Sequence, residues 1–319
     1  MTPDLQQWLA QQDIDVTRVS RLAGDMGLRQ YYRAEQQGKP VIIADASEDN
    51  VTNTQTFIAV DEAFAKAGVS VPSIYAQNPI NEWLILEDLG DDLYGAVLNK
   101  DNADALYTQA LASLLKIQSI KTISGYDLPH FVDDHCLKDL QLWREWFVER
   151  YLNINLTADD NAMLDMLFSL LHENAANQPQ VLMHRDYHCR NLFALTDATG
   201  VIDFQSAMLG PITYDAVSLL RDCYMDWPTE KVQQWARQFH AMALTDSMDM
   251  KTFTRHFDLM GVQRHLKALG SFAKSPVSDR DMTIRRTLNY VIAIGQQYSE
   301  LKEFIGWLTT TTENICAVQ

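Results

Sequence analysis

"LMHRDYHCRNLF", residues 182–193, sets two histidines, an aspartate, two arginines, a cysteine and an asparagine between apolar ends. The ends read as buried chain and the centre as a polar loop held in a cavity. Two chemistries call for such a loop: phosphoryl transfer, or a metal site built from histidine and aspartate. The segment just after the loop separates them. "LFAL" (192–195), the turn "TDATG" (196–200) and "VIDF" (201–204) predict a hairpin. That hairpin carries Asp203 back beside the loop.

Asn191 stands five residues after Asp186, and Asp203 twelve after Asn191. Phosphoryl transfer needs hard oxygen donors for Mg²⁺ and a separate carboxylate to orient the attacking hydroxyl and take its proton. Asn191 and Asp203 suit the first task, and Asp186 the second. The competing metallohydrolase would use His184, Asp186 and His188. It needs imidazoles converging on one ion with an open position, and it leaves Asn191 idle.

Working outward, the first 90 residues are strand-rich. "DVTRVSRLAG", "RQYYRAEQ" and "KPVIIADAS" predict an antiparallel meander. "TQTFIAVDEAFAKAGV" repeats Phe57, Val60, Phe64 and Ala67 at helical spacing, and "PSIYAQN" and "EWLILEDL" predict two more strands. From about residue 101 the pattern is helical, with "DALYTQALASLLKIQ", "LKDLQLWREWFVERYL" and "NAMLDMLFSLLHENA" as long helices. At the N-terminus, Thr2 caps a helix with Pro3 in its first position and Leu5, Trp8 and Leu9 on one face. The expectation is an α+β, two-lobe protein: a small antiparallel-sheet lobe with one helix at 1–90, and a larger helical lobe at 91–319. The connector lies near "EDLGDD", 87–92.

Bulk properties narrow the partners. The chain has 319 residues, 47% hydrophobic, with 26 basic against 42 acidic side chains and a net charge of −16. A nucleic-acid-binding face needs the opposite balance. The four cysteines form no CxxC pair and read as reduced buried thiols, which fits a cytoplasmic setting. No apolar run is long enough for a membrane span, and the N-terminus has no basic region of a signal peptide.

"HRDYHCRN" resembles the H-x-D-x-x-x-x-N catalytic loop of protein-kinase-like enzymes, and "IDFQ" stands where they carry a second metal-binding aspartate. "GPITYD", 210–215, resembles the corresponding run in the aminoglycoside-phosphotransferase branch. The likeness covers almost the whole chain. Within it, "DFQSAMLGPITYDAVSLLRDCY" (203–224), "FDLMGVQRHLKALGSFAK" (257–274) and "RTLNYV" (286–291) are most similar to the anomeric amino-sugar kinases of bacterial cell-wall recycling. Those enzymes use ATP to phosphorylate N-acetylmuramate and N-acetylglucosamine at C1. The resemblance implies ATP and Mg²⁺ as cofactors and a small amino-sugar acceptor, with no nucleic-acid or membrane partner. Asp186 would be the base, Asn191 and Asp203 the metal ligands, and Asp215 and His184 structural supports of the loop. The backbone of Glu87–Leu89 would meet adenine. His188 would lie where a phosphate-facing lysine often stands.

The sequence also departs from the pattern. Protein kinases place a lysine in the third strand; here "PVIIADAS" offers Ala44 or Asp45. Arg29 and Arg33 share a strand face with Tyr31, and one of them would supply the missing charge; Arg33 is the position assigned to the nucleotide. Glu62 then has no lysine partner and reads as a solvated face. Gly24 and Gly27 form a G-x-x-G turn whose place between the first strands implies phosphate contact. The segment 274–285 is shorter than its counterpart in the amino-sugar kinases.

On the acceptor side, Trp143 and Trp146 read as core by spacing and, as the alternative, as a sugar-stacking face, with Arg144, Glu145 and Arg150 as polar neighbours. Arg264, His265 and Lys267 form a basic cluster that reads as a solvated face or as a cleft set offsetting the acidic lactyl group of N-acetylmuramate. "HFVDDH" (130–135) reads as an acidic helix start rather than a metal site. An aminoglycoside-type or other small hydroxyl acceptor is the alternative function, and a non-catalytic nucleotide-binding pseudokinase a further one.

Overall fold

The computed structural model describes residues 1–22, 29–48, 53–244, 248–275 and 280–316. Helix α1 (Pro3–Gln11) starts where expected, with the Thr2 hydroxyl accepting the Leu5 N–H at 3.3 Å. Strands β1 (Ser20–Arg21), β2 (Gln30–Gln36) and β3 (Lys39–Asp45) precede helix α2 (Thr54–Lys66), and β4 (Ile74–Asn78) and β5 (Trp83–Glu87) follow it. The five strands form one antiparallel sheet in the order β1-β2-β3-β5-β4. The β2–β3 turn sets Gln37 and Gly38 at φ +52° and +77°, the left-handed pair that a two-residue hairpin requires.

The alternation of each strand sorts its side chains onto two faces. Tyr32, Ala34, Val41, Ile43 and Ile85 pack outward against Leu5 and Leu9 of α1. Burying each of those leucines contributes about 1.5–3 kcal/mol. Ala44, Leu84 and Leu86 face inward and join Phe57, Val60 and Phe64 of α2 in the main core.

Beyond the connector, α3 (Tyr94–Val97), α4 (Ala103–Ser119), α5 (Cys136–Trp143) and α6 (Ala158–Ala176) lead to four short strands. These are β6 (Gln180–Met183), β7 (Leu192–Ala194), β8 (Thr199–Val201) and β9 (Met208–Pro211). Helices α7 (Tyr214–Leu220), α8 (Thr229–Ala243), α9 (Met250–Lys274), α10 (Arg280–Gly295), α11 (Lys302–Thr311) and α12 (Glu313–Cys316) complete the chain. Strand β7 pairs with β8 in the expected hairpin, and β6 pairs with β9. The second pairing was not expected; it gathers both ends of the polar loop region onto one small sheet. No helix among the described residues is long and apolar enough to cross a membrane. Cys136, Cys189 and Cys223 are free and buried.

Two expectations are corrected. Of the strand expected at 15–24, the described residues keep only β1, Ser20–Arg21: the Asp15 carboxylate accepts the Thr17 N–H at 3.0 Å, winding Val16–Arg18 into a 3₁₀ turn. Local side-chain bonding of this kind competes with a strand ladder. The single helix expected at 137–152 is α5 followed by a wider π-helical stretch, Arg144–Tyr151. There Trp143 stacks on Phe147 and Phe147 on Tyr151, at 6.5 and 5.5 Å. Keeping residues four apart over one another suits the wider turn.

Candidate active site

The polar loop leaves β6 at Met183 and returns through β7 and β8 to Asp203. Arg185 and Asp203 both adopt left-handed backbone, with φ +80° and +63°. Such conformations cost about 1–3 kcal/mol each and persist only where neighbours over-determine them. Here the neighbours are buried carboxylates. Asp215, in the first turn of α7, accepts the His184 N–H at 2.6 Å and the Arg185 N–H at 3.0 Å. Burial pushes its carboxyl up to about 7, with the two N–H donors opposing. Asp222 clamps the far end, accepting N–H groups of Cys189 at 2.8 Å and Tyr224 at 2.9 Å. The sequence pointed to Asp215 but not to Asp222.

His184 is fully buried and works as a strut. Its Nε2–H donates to the Ile202 carbonyl at 2.9 Å, and its Nδ1 accepts the Asp186 N–H at 3.3 Å. Burial lowers its pKa to about 4, so the ring is neutral and both nitrogens are committed. His188 lies edge-on to Tyr224 at 5.6 Å, and its enclosed Nδ1 has no hydrogen-bond partner among the described residues.

Asn191 joins the two aspartates. Its Nδ2 donates to the Asp186 carbonyl at 2.9 Å and to Asp203 Oδ2 at 3.3 Å, which leaves the amide oxygen as its remaining donor atom to a metal. Gln205 Nε2 donates to Asp203 Oδ1 at 2.8 Å. Phe204 is clamped between Phe57 and Phe64 of α2, at 4.7 and 5.3 Å, so the sheet lobe's helix fixes the position of Asp203. Burial, then the charge of Asp186, pushes the Asp203 carboxyl up to about 6. An amide oxygen and a strained, buried carboxylate are the hard donors a magnesium-sized cation takes, so the pair fits such an ion.

On the nucleotide side the structure changes the roles of the two arginines. Arg33 is held at the connector: Nε lies 2.6 Å from Asp88 Oδ2, Nη1 2.7 Å from Asp91, and Nη2 donates to the Gly90 carbonyl at 3.1 Å. Three acceptors at the connector hold this guanidinium, the one expected at the nucleotide. Arg29 instead is buried over the Phe57 ring, 5.6 Å from its centroid, and its charge favours ionised Asp203. Ala44 faces the core from the third strand, while Asp45 turns outward to accept the Trp83 Nε1–H at 3.1 Å. Glu62 is exposed. At the connector, the Glu87 N–H donates to the Ser73 carbonyl at 2.8 Å, and the Leu89 side chain lies against Gly200. Gly24 and Gly27 lie outside the described residues, as does part of the 274–285 segment.

Across the loop, α9 brings two cations to Asp186. Arg264 Nη2 and Lys267 Nζ each lie 3.4 Å from Asp186 Oδ1. Arg264 also donates from Nε to Ser218 Oγ at 2.7 Å. Arg185 reaches away to Asp139 of α5 at 3.2 Å. Helix α9 can lie this close to α5 because position 270 is glycine: a Cβ there would come within 2.8 Å of Trp143 backbone atoms. Burial works against ionised Asp186, yet Lys267, Arg264, His188 and Arg185 together hold its carboxyl well below the usual range.

Trp143 is fully buried among Phe147, Phe168, Phe304 and Trp307. It is core, which corrects its placement in a sugar pocket. Trp146 is half-buried between Arg150 and Lys274, 4.0 and 5.5 Å from its ring centroid, so its ring contacts run to the end of α9 rather than to the catalytic loop. Lys267 and Asp139 stand nearer the chemistry than either tryptophan. Lys267 carried a sequence signal, the "QRHLK" cluster; Asp139 carried none.

Comparison with known proteins gives this geometry its family. Residues 18–251 match the model of the phosphotransferase enzyme family. The chain belongs to that family. Two curated relatives, from Pseudomonas putida and from Neisseria meningitidis serogroup B, are each named N-acetylmuramate/N-acetylglucosamine kinase. The first is 35% identical over 92% of this chain and 85% of its own length. The second is 31% identical over 93% of this chain and 92% of its own length. An amicoumacin kinase solved with AMP-PNP and Ca²⁺ shares the fold at a TM-score of 0.63 and 12% identity, covering 93% of this chain and 98% of the other. The family and the fold make this a two-lobe α+β phosphotransferase, in line with the resemblance seen in the sequence.

Proposed function

We propose that this phosphotransferase moves the γ-phosphoryl group of ATP to the anomeric hydroxyl of N-acetylmuramate or N-acetylglucosamine, in the cytoplasmic recycling of cell-wall sugars. The lobes divide near residue 90, with nucleotide between them. The observation that carries the reading is the state of Asp186: a carboxylate kept ionised by two cations of α9, beside the Asn191–Asp203 pair. So acidic a carboxyl is a weak base for an ordinary alcohol. An anomeric hydroxyl is more acidic, and its proton passes more readily to such a group. The names of the curated relatives support the same acceptors.

In this mechanism Asp186 accepts a hydrogen bond from the C1 hydroxyl and aligns its oxygen with the γ-phosphorus. As the new O–P bond forms, the bond to the β-phosphate oxygen breaks, ADP departs, and the hydroxyl proton passes to Asp186. Asn191 and Asp203 would hold Mg²⁺, which neutralises charge on the phosphate oxygens when bound. Arg29 replaces the absent third-strand lysine on the nucleotide side. Most of the acceleration is alignment and charge stabilisation.

A polycationic aminoglycoside fits less well, since it would meet Arg264 and Lys267 beside the attacked phosphorus. The metallohydrolase is disfavoured because both ring nitrogens of His184 are hydrogen-bonded within the loop. The test is an acceptor screen for ATP consumption, with the position of the product phosphate read by phosphorus NMR. An acid-labile C1 phosphate on either amino sugar is expected. A phosphate at another carbon, stable to mild acid, or turnover only with non-sugar acceptors, overturns the reading.

A further inference from the structure

The catalytic carboxylate has more positive charge around it than it can use. Arg264 and Lys267 both approach Oδ1 of Asp186, each at 3.4 Å, too far for either to form a strong charge-assisted bond. Arg185 and Asp139 form a pair of their own. The side-chain ion pairs of the cluster join three cations, Arg185, Arg264 and Lys267, to two carboxylates, Asp139 and Asp186, while the neighbouring Asp215 spends its oxygens on the backbone N–H groups of His184 and Arg185. This surplus sits in a chain of net charge −16.

The surplus lies on Lys267 rather than Arg264. Arg264 is anchored by Ser218, with its side chain 9% exposed. Lys267 keeps 17% of its side chain exposed and, among the described residues, makes one long contact with its three ammonium protons. Burial and the neighbouring Arg264 charge lower its pKa, and Asp186 only partly restores it. An ammonium in that setting is stabilised by one more anion.

Two anions come near this place during turnover: the phosphoryl group in transfer and an acidic substituent of the acceptor. The cations are already divided between the two sides. Arg29 lies over Phe57, which packs on Phe204 beside Asp203, whereas Lys267 and Arg264 approach Asp186. The α9 cations thus belong to the side from which the hydroxyl arrives.

We propose that Lys267 reads a carboxylate on the acceptor, and so sets the preference for the lactyl-bearing sugar, N-acetylmuramate, over neutral N-acetylglucosamine. The proposal rests on the amino-sugar kinase reading. Arg264, anchored on Ser218 beside Asp186, is a positioning residue for the catalytic carboxylate and does not discriminate between the sugars.

The test measures kcat/KM for both sugars on the purified full chain, wild type and Lys267→Met. A charge-assisted bond is worth about 1.5–3 kcal/mol, so the muramate-to-glucosamine ratio falls about tenfold or more in the variant. Lys267→Arg restores most of the ratio. A substrate-side measurement avoids dependence on the variant's folding: wild type is assayed with the methyl ester of N-acetylmuramate, which keeps the lactyl shape and removes its charge. The ester loses the same factor with wild type and none further with Lys267→Met. Equal losses on both sugars, with the ratio unchanged, would place the ammonium on the phosphoryl group and overturn the proposal. So would an ester that matches the free acid. Wild type inactive on both sugars overturns the amino-sugar reading itself, a result distinguishable from a failed lysine assignment.

Discussion

Asp186 and Asp203 are joined through the Asn191 amide, and burial pushes both carboxyls up. Their charged neighbours then pull them apart. Lys267, Arg264, His188 and Arg185 bring Asp186 far below the usual range. Asp203 has the Asp186 charge against it, only partly offset by Gln205, Arg29 and Asn191, and stays at about 6. The difference teaches that environment, not residue type, divides the work. In the proposed mechanism one carboxylate is an acceptor that never needs to be deprotonated. The other, in the same proposal, would be a ligand that becomes fully ionised when a cation arrives.

The largest expected effect breaks the first member of the pair. Asp186→Asn removes proton acceptance and alignment together, and transfer falls by about 10²–10⁴-fold. Nucleotide affinity, measured by calorimetry, stays close to wild type. Transfer at the wild-type rate would remove Asp186 from the mechanism.

Next comes Asp203. Loss of one hard ligand in Asp203→Asn lowers kcat/KM for the nucleotide–metal complex by roughly 10²-fold, and raised Mg²⁺ recovers part of it. The same pair predicts a pH profile. Protonated Asp203 cannot bind metal well, so kcat/KM for nucleotide, which reports the free enzyme, drops as pH falls through about 6. Asp186 contributes no such limb there, because its carboxyl remains ionised well below that pH. An acid limb that persists unchanged in Asp203→Asn would assign the titration elsewhere.

The smallest effects separate the arginines. Arg29→Met raises KM for ATP by about tenfold and moves the acid limb upward, since Arg29 helps keep Asp203 ionised. Arg33→Met breaks partly exposed ion pairs with Asp88 and Asp91. It costs about 1 kcal/mol of stability, seen as a lower Tm, with KM for ATP little changed. A larger KM effect from Arg33 than from Arg29 would return the nucleotide role to Arg33.

The sheet lobe and the catalytic loop were legible for different reasons. Strand alternation in "YYRAEQ" and "PVIIADAS" is a local signal, and so is the capped start of α1. The loop was legible through residue types at fixed spacing: Asp186, Asn191 and Asp203 come together because one hairpin turns the chain back. The failures were long-range. Arg29 and Arg33 share a strand face, and only the positions of Asp88, Asp91 and Phe57 decide which one meets the connector. Trp143 and Trp146 share a helical segment, and the π-helical stretch decides which one is core.

What the sequence determined by itself was the chemistry, since a short loop and a hairpin fix which oxygens face one another within a few residues. What only the tertiary structure decided was the charge around them. Lys267 and Arg264 lie far along the chain from Asp186, and no local pattern aims them. Helix α9 carries them there because Gly270 lets it press against α5, and close packing, not sequence proximity, sets the distance over which a charge acts.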